Sequence, residues 1–223
     1  MKMKSTIAAI LICLGLATGA QAADSLKVKP FTFADTQGDF GPPVDPDVVS
    51  AKWVNKQGTT STPTKNGAPG DFGLVLTKNT ATATVAASGA IVKGPEGDVV
   101  TPTTEFDYAY RNDGHCGAGA PRFNVVVTDG TNQSRYAAGC GNPATSTTPV
   151  NGFWTRKAWR PINFFFLGNV PSTATHAPVL MVGSTIVSVA IVFDEGTDDG
   201  PGFAVLDNIS YDGLVAGGPA TDH

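Results

Sequence analysis

Glutamate, histidine and cysteine are nearly missing from this sequence: 223 residues include three Glu (Glu96, Glu105, Glu195), three His and three Cys. That scarcity removes several kinds of chemistry. No His-Glu-x-x-His helix and no Gly-x-Ser-x-Gly elbow is present. His115 adjoins Cys116, His176 lies in a Thr/Pro stretch and His223 is terminal, so none stands where a catalytic base is expected. Charged residues are only 15% of the chain, and the formal net charge is −4. A mildly acidic surface repels phosphate backbones, which excludes nucleic acid as a partner. Leu is sparse and no long stretch repeats with helical period, which excludes a helical bundle. Beyond the first residues no apolar run approaches the about 20 residues that cross a bilayer, so membrane insertion is not expected.

The N-terminus does carry an apolar run, and it reads as a leader. Met1-Lys2-Met3-Lys4 is basic, Ile7 to Leu16 is apolar, and Ala20-Gln21-Ala22 is a small-x-small cleavage pattern. Residues 1–22 are read as a secretory signal, which makes the mature chain secreted, extracellular or periplasmic. Ile12 precedes Cys13, where a lipoprotein signal wants a small residue, so no lipid anchor is expected. Losing Lys2 and Lys4 takes the formal charge from −4 to −6. Residues 23–213 are read as a single domain, and 214–223 as a flexible tail.

What abounds is Gly, Pro, Thr and Val, the composition of short strands joined by tight turns. The expected fold is all-β, an antiparallel β-sandwich of jelly-roll type. After the leader only Cys116 and Cys140 remain, 24 positions apart. In an exported protein they are expected to form a disulfide; the other reading is a pair of metal-ligating thiolates, but no CxxC and no suitably spaced His supports it.

Alternation is clearest in the middle of the chain. In Thr104 to Arg111, Phe106, Tyr108 and Tyr110 share one face while Glu105, Asp107 and Arg111 share the other. Arg122 to Asp129 places Phe123, Val125 and Val127 opposite Arg122 and Asn124, and Ser134 to Cys140 returns with Arg135 on the polar side. If these three strands are neighbours, Glu105, Asp107, Arg111, Arg122, Asn124 and Arg135 make one polar face. It is either a rigid platform for sugar hydroxyls or a solvated face steadied by cross-strand charge pairs. Trp154 (with Phe153 beside it) and Trp159 are a second ligand candidate, because sugar rings stack on flat apolar surfaces; the alternative is that they are core. Glu105 and Asp107, two residues apart, place their Cα atoms about 6.6 Å apart, a spacing a glycosidase pair could use. Any acid-x-acid strand gives the same spacing, so catalysis is left uncertain and disfavoured. A lyase pair of Tyr110 and Arg111 is disfavoured too, since the two point to opposite faces.

Near the C-terminus, Asp194, Glu195, Asp198 and Asp199 crowd a Gly-rich turn that fits no EF-hand spacing and reads as a solvated loop. The strand after it, Phe203 to Tyr211, puts Asp207 among Phe203, Val205, Ile209 and Tyr211, where a carboxylate needs a partner. The strand Val187 to Phe193, the acidic turn and Val205-Leu206-Asp207-Asn208-Ile209 together resemble the galactose-binding-like jelly roll of secreted carbohydrate-binding modules. The block Gly114-His115-Cys116-Gly117-Ala118-Gly119-Ala120-Pro121-Arg122-Phe123-Asn124 resembles a segment of exported bacterial proteins that share this last strand. The resemblance implies a structural Ca2+ at Asp207, with oxygens from Asp35, Asp39, Asp45 or Asp47; Asp35 and Asp47 are the named expectation. The alternative for Asp207 is a carboxylate that accepts backbone amides. The resemblance further implies non-catalytic binding of an extracellular glycan or surface polymer. An adhesive protein that binds another protein, and a polysaccharide-cleaving enzyme, are the other two expectations.

Overall fold

The computed structural model describes residues 25–36, 39–40, 48–79, 86–117, 119–194 and 201–219. Along the chain the strands are β1 (Lys27–Thr36), β2 (Asp39–Phe40), β3 (Val49–Asn55), β4 (Phe72–Lys78), β5 (Ala86–Lys93), β6 (Phe106–Arg111) and β7 (Arg122–Thr128). They continue as β8 (Gln133–Gly139), β9 (Ser146–Asn151), β10 (Trp154–Trp159), β11 (Phe165–Val170), β12 (Thr185–Phe193), β13 (Gly202–Tyr211) and β14 (Leu214–Ala216). A short 3-10 turn, Pro161–Asn163, precedes β11.

All pairings between these strands are antiparallel, and they form two sheets. Sheet I runs β11-β8-β7-β12-β5-β1-β2; sheet II runs β3-β4-β13-β6-β10-β9, with β14 paired to β13. One hydrophobic cluster fills the space between them. Sheet I sends in Val28, Val92, Phe123, Val125, Val189 and Ile191, and sheet II answers with Leu74, Leu76, Phe106, Tyr108, Leu206 and Ile209. Apolar side chains at every second position leave water together only when two such faces meet, and that is the physical content of a sandwich. The arrangement is compatible with a jelly-roll-like path.

The register corrects one expectation with consequences for function. β6 is not a neighbour of β7; the two lie in different sheets. Their aromatic faces meet across the core instead of side by side, with the Phe123 ring 5.5 Å from both Phe106 and Tyr108. The polar faces therefore look out on opposite sides of the molecule. Glu105, Asp107 and Arg111 do not form one platform with Arg122, Asn124 and Arg135.

Cys116 and Cys140 are joined by a disulfide with Cα atoms 4.9 Å apart. It ties the β6–β7 crossover to the end of β8. Beside it, the buried Tyr108 hydroxyl donates to the Pro121 carbonyl at 2.6 Å, and burial pushes that phenol above its usual range. Leu214–Ala216, within the stretch read as a tail, adds β14 to sheet II.

Candidate functional site

The outer face of sheet II is half covered. Residues 56–71 leave β3, cross over the sheet and return to β4. A Cβ at Gly73 would strike the Gln57 carbonyl, which shows how closely the segment lies on the strand. The covering segment is held by carboxylates. Asp207 Oδ2 accepts the Thr59 amide at 2.7 Å, and Asp71 Oδ2 accepts the Thr60 amide at 2.9 Å. Trp154 lies fully buried beneath it with Ala109, Val205 and Val75, and its indole N–H donates to the Ser61 carbonyl at 3.0 Å.

Asp207 reaches this outer face because β13 is not a regular strand. Between Asp207 and Ser210 the register with β6 shifts by a bulge, and Asn208 takes φ 48°. Ala204 and Leu206 point into the core before the bulge, and Ile209 and Tyr211 after it. Val205 and Asp207 point outward, so the carboxylate is not an apolar-face residue. Its other oxygen accepts the Asn208 amide at 2.6 Å. Burial raises its pKa above the usual carboxylate value; amide donation from Thr59 and Asn208 opposes this, and the charge of Asp71 adds to it.

Both Asp207 oxygens already accept amide hydrogens, which matches the alternative reading of that residue. Asp35 belongs to β1 in the other sheet, and Asp47 lies outside the described residues. Among the described residues no cluster of three or more His, Cys, Asp or Glu is placed to hold a metal ion. Among the described residues Asp207 is engaged by amides and no set of carboxylates for a cation gathers around it; Asp45 also lies outside the described residues.

The expected polar residues separate into three groups. On sheet I, Arg122 makes a two-pronged pair with Asp194 (2.7 and 2.6 Å) and bonds Asn124 at 3.1 Å, while Asn124 and Arg135 are largely buried. These side chains are engaged within the protein rather than arrayed for a ligand. Of the acidic turn, Asp194 is thus a structural partner; residues 195–200 lie outside the described residues. On sheet II, Arg160 lies 3.1 Å from Glu105 and Arg156 lies 2.8 Å from Asp107. The second approach is off-axis, so Asp107 Oδ1 is buried without an aligned hydrogen bond. Both pairs are cross-strand charge pairs of the kind that steady a sheet. The tryptophans are not exposed platforms: Trp159 is fully buried in the central core against Tyr108, 5.0 Å between rings, and Trp154 is sealed by the 56–71 segment.

Arg111 differs from all of these. It stands where the covering segment ends, at the head of an open groove of about 390 Å³. The groove runs over Val75, Thr77, Phe203 and Val205, with Gln57 beside Arg111 and Asn79 and Pro201 at the far end. Arg111 Nε donates to Asp113 Oδ1 at 2.7 Å and Nη1 to Gln57 Oε1 at 2.6 Å. Two anchors fix the guanidinium plane, and the side chain is only 10% exposed. Five N–H groups less two leaves three without a partner among the described residues. Phe203 contributes a half-exposed ring. Sequence reasoning picked out Arg111 but missed Gln57, Thr77 and Phe203. Strict alternation puts Phe203 on the face of Ile209 and Tyr211, and the bulge at Asn208 reverses that parity.

Compared with known proteins, the chain matches no protein-family model, and no curated protein matches it.

Proposed function

We propose that this is an exported, non-catalytic module that binds extracellular carbohydrate in the groove headed by Arg111. The observation that carries the reading is a fixed, nine-tenths buried guanidinium beside an apolar floor with a half-exposed aromatic ring. Sugars present hydroxyl groups at their rim and C–H groups on their faces, so a site needs directional donors next to a flat apolar surface. Its volume of about 390 Å³ lies within the range of small-ligand pockets. The resemblance of the last strand to galactose-binding-like modules points the same way, and the reading of residues 1–22 as a leader agrees with an extracellular ligand. Affinity electrophoresis against a panel of soluble polysaccharides tests it: at least one polymer should retard the mature protein, and Phe203→Ala should weaken the retardation roughly tenfold. No retardation on any polymer would overturn the reading.

One observation favours a second reading, adhesion to another protein. Edge strand β11 exposes Phe165, Phe166 and Leu167 in succession, and Phe165–Val170 contains no charge and no proline. Edge β3 carries Lys52 and edge β9 carries Pro149, two residues that discourage pairing with another chain. Sedimentation analysis of wild type and Phe166→Lys separates the readings: protein adhesion through this edge predicts an association that the lysine abolishes.

A further inference from the structure

We propose that the Arg111 groove selects acidic glycans, polymers whose sugars carry carboxylates, over neutral ones. This rests on the carbohydrate reading and names its substrate class. Two protein anchors, Asp113 on Nε and Gln57 on Nη1, hold the guanidinium on two of its edges. That leaves both N–H groups of Nη2 and one of Nη1 as donors for the two oxygens of a carboxylate. A neutral hydroxyl uses one of these donors at a time, so a uronate gains a second, charge-assisted bond. The charged residues that line the groove among the described residues are Arg111 and Lys78, with the Asp113 carboxylate bonded to Arg111 Nε beside it. Lys78 is buried and donates to the Asp194 carbonyl at 3.1 Å, so the donors offered to a ligand are those of Arg111. Elsewhere the protein is acidic, with a formal charge of −4, and this general repulsion works against indiscriminate binding of an anionic polymer. Val75 and the Phe203 ring then receive the apolar face of the ring that bears the carboxylate.

The test compares polygalacturonate and alginate with their carboxyl-reduced, neutral counterparts, by isothermal titration at 150 mM salt. The inference expects the acidic polymers to bind roughly tenfold or more tightly than the reduced ones. Arg111→Gln should abolish the preference. Because that variant also strips Asp113 of its partner, Arg111→Lys serves as a second one: it keeps a positive charge beside Asp113 but loses the two-pronged donor set, and should reduce the acidic preference several-fold. Equal affinity for acidic and reduced polymers, with binding still lost in Phe203→Ala, would overturn the acidic selectivity and leave the carbohydrate reading standing. No binding to any polymer would overturn both.

Discussion

The Thr59 amide and the Asp207 carboxylate, 148 residues apart in sequence, are joined by a 2.7 Å hydrogen bond. That bond holds the 56–71 segment on sheet II, and the segment in turn presents Gln57 to Arg111. The groove therefore depends on a carboxylate that lies outside it.

Asp207 sets a pH dependence of defined sign. Burial raises its folded-state pKa above that of the unfolded chain. A group raised in this way favours the fold fully below the unfolded value, near pH 4, and loses that contribution as pH rises through the raised value. Urea unfolding of wild type and Asp207→Asn should show the stability difference shifting in favour of the asparagine variant from pH 4 toward neutrality. A difference that is flat or moves the other way would contradict the assignment.

The disulfide closes a loop across the β6–β7 crossover, with a sequence separation of 24 residues. In the chain-entropy account a loop of this size stabilises by about 3.5 kcal/mol. The double variant Cys116→Ser/Cys140→Ser should lose roughly that much in guanidinium unfolding, at nearly unchanged groove affinity when folded. A loss below about 1 kcal/mol would show that the crossover is held by packing alone.

The two ion pairs on sheet II should behave differently. Arg156→Ala leaves Asp107, 3% exposed, without its counter-charge, while Arg156 itself is 48% exposed and screened. A cost of about 1–3 kcal/mol follows, below that of a fully buried pair. Arg160→Ala removes a pair exposed on both sides, 44% and 32%, and should cost under about 1 kcal/mol. Equal costs in thermal or urea unfolding would contradict the burial argument.

Calcium offers a separate check. Because amide hydrogens occupy both Asp207 oxygens, adding 5–10 equivalents of Ca2+ or excess EDTA should leave the thermal midpoint unchanged. A midpoint raised by calcium and lowered by EDTA would show that a cation displaces those amides.

How far the sequence foretold this molecule is clear from particular strands. Alternation in Phe106-Asp107-Tyr108 and Phe123-Asn124-Val125 identified inner and outer faces correctly, because burial imposes a period of two wherever a strand is regular. It could not say whether two such strands lie side by side or face to face, since either choice buries the same side chains. Hence the Arg122 and Arg111 groups were merged when the sandwich separates them. The bulges are the second blind spot. One extra residue at Asn208, and another near Val187, reverses the parity of everything beyond it. Asp-Asn in the middle of a strand, two residues that sheets disfavour, was the available signal. Strand β10 was missed for a different reason: Trp159 fills the core and Trp154 fills the space under the covering segment, so buried aromatics on both faces hide the alternation.

The central claim is that ligand binds over β4 and β13 beside Arg111, and backbone amide chemical-shift mapping with a bound oligosaccharide tests it most directly. The account predicts that the largest shifts fall at Gln57, Thr77, Arg111 and Phe203, with the outer face of sheet I unmoved. Shifts concentrated at Arg122, Asn124 and Arg135 would contradict it.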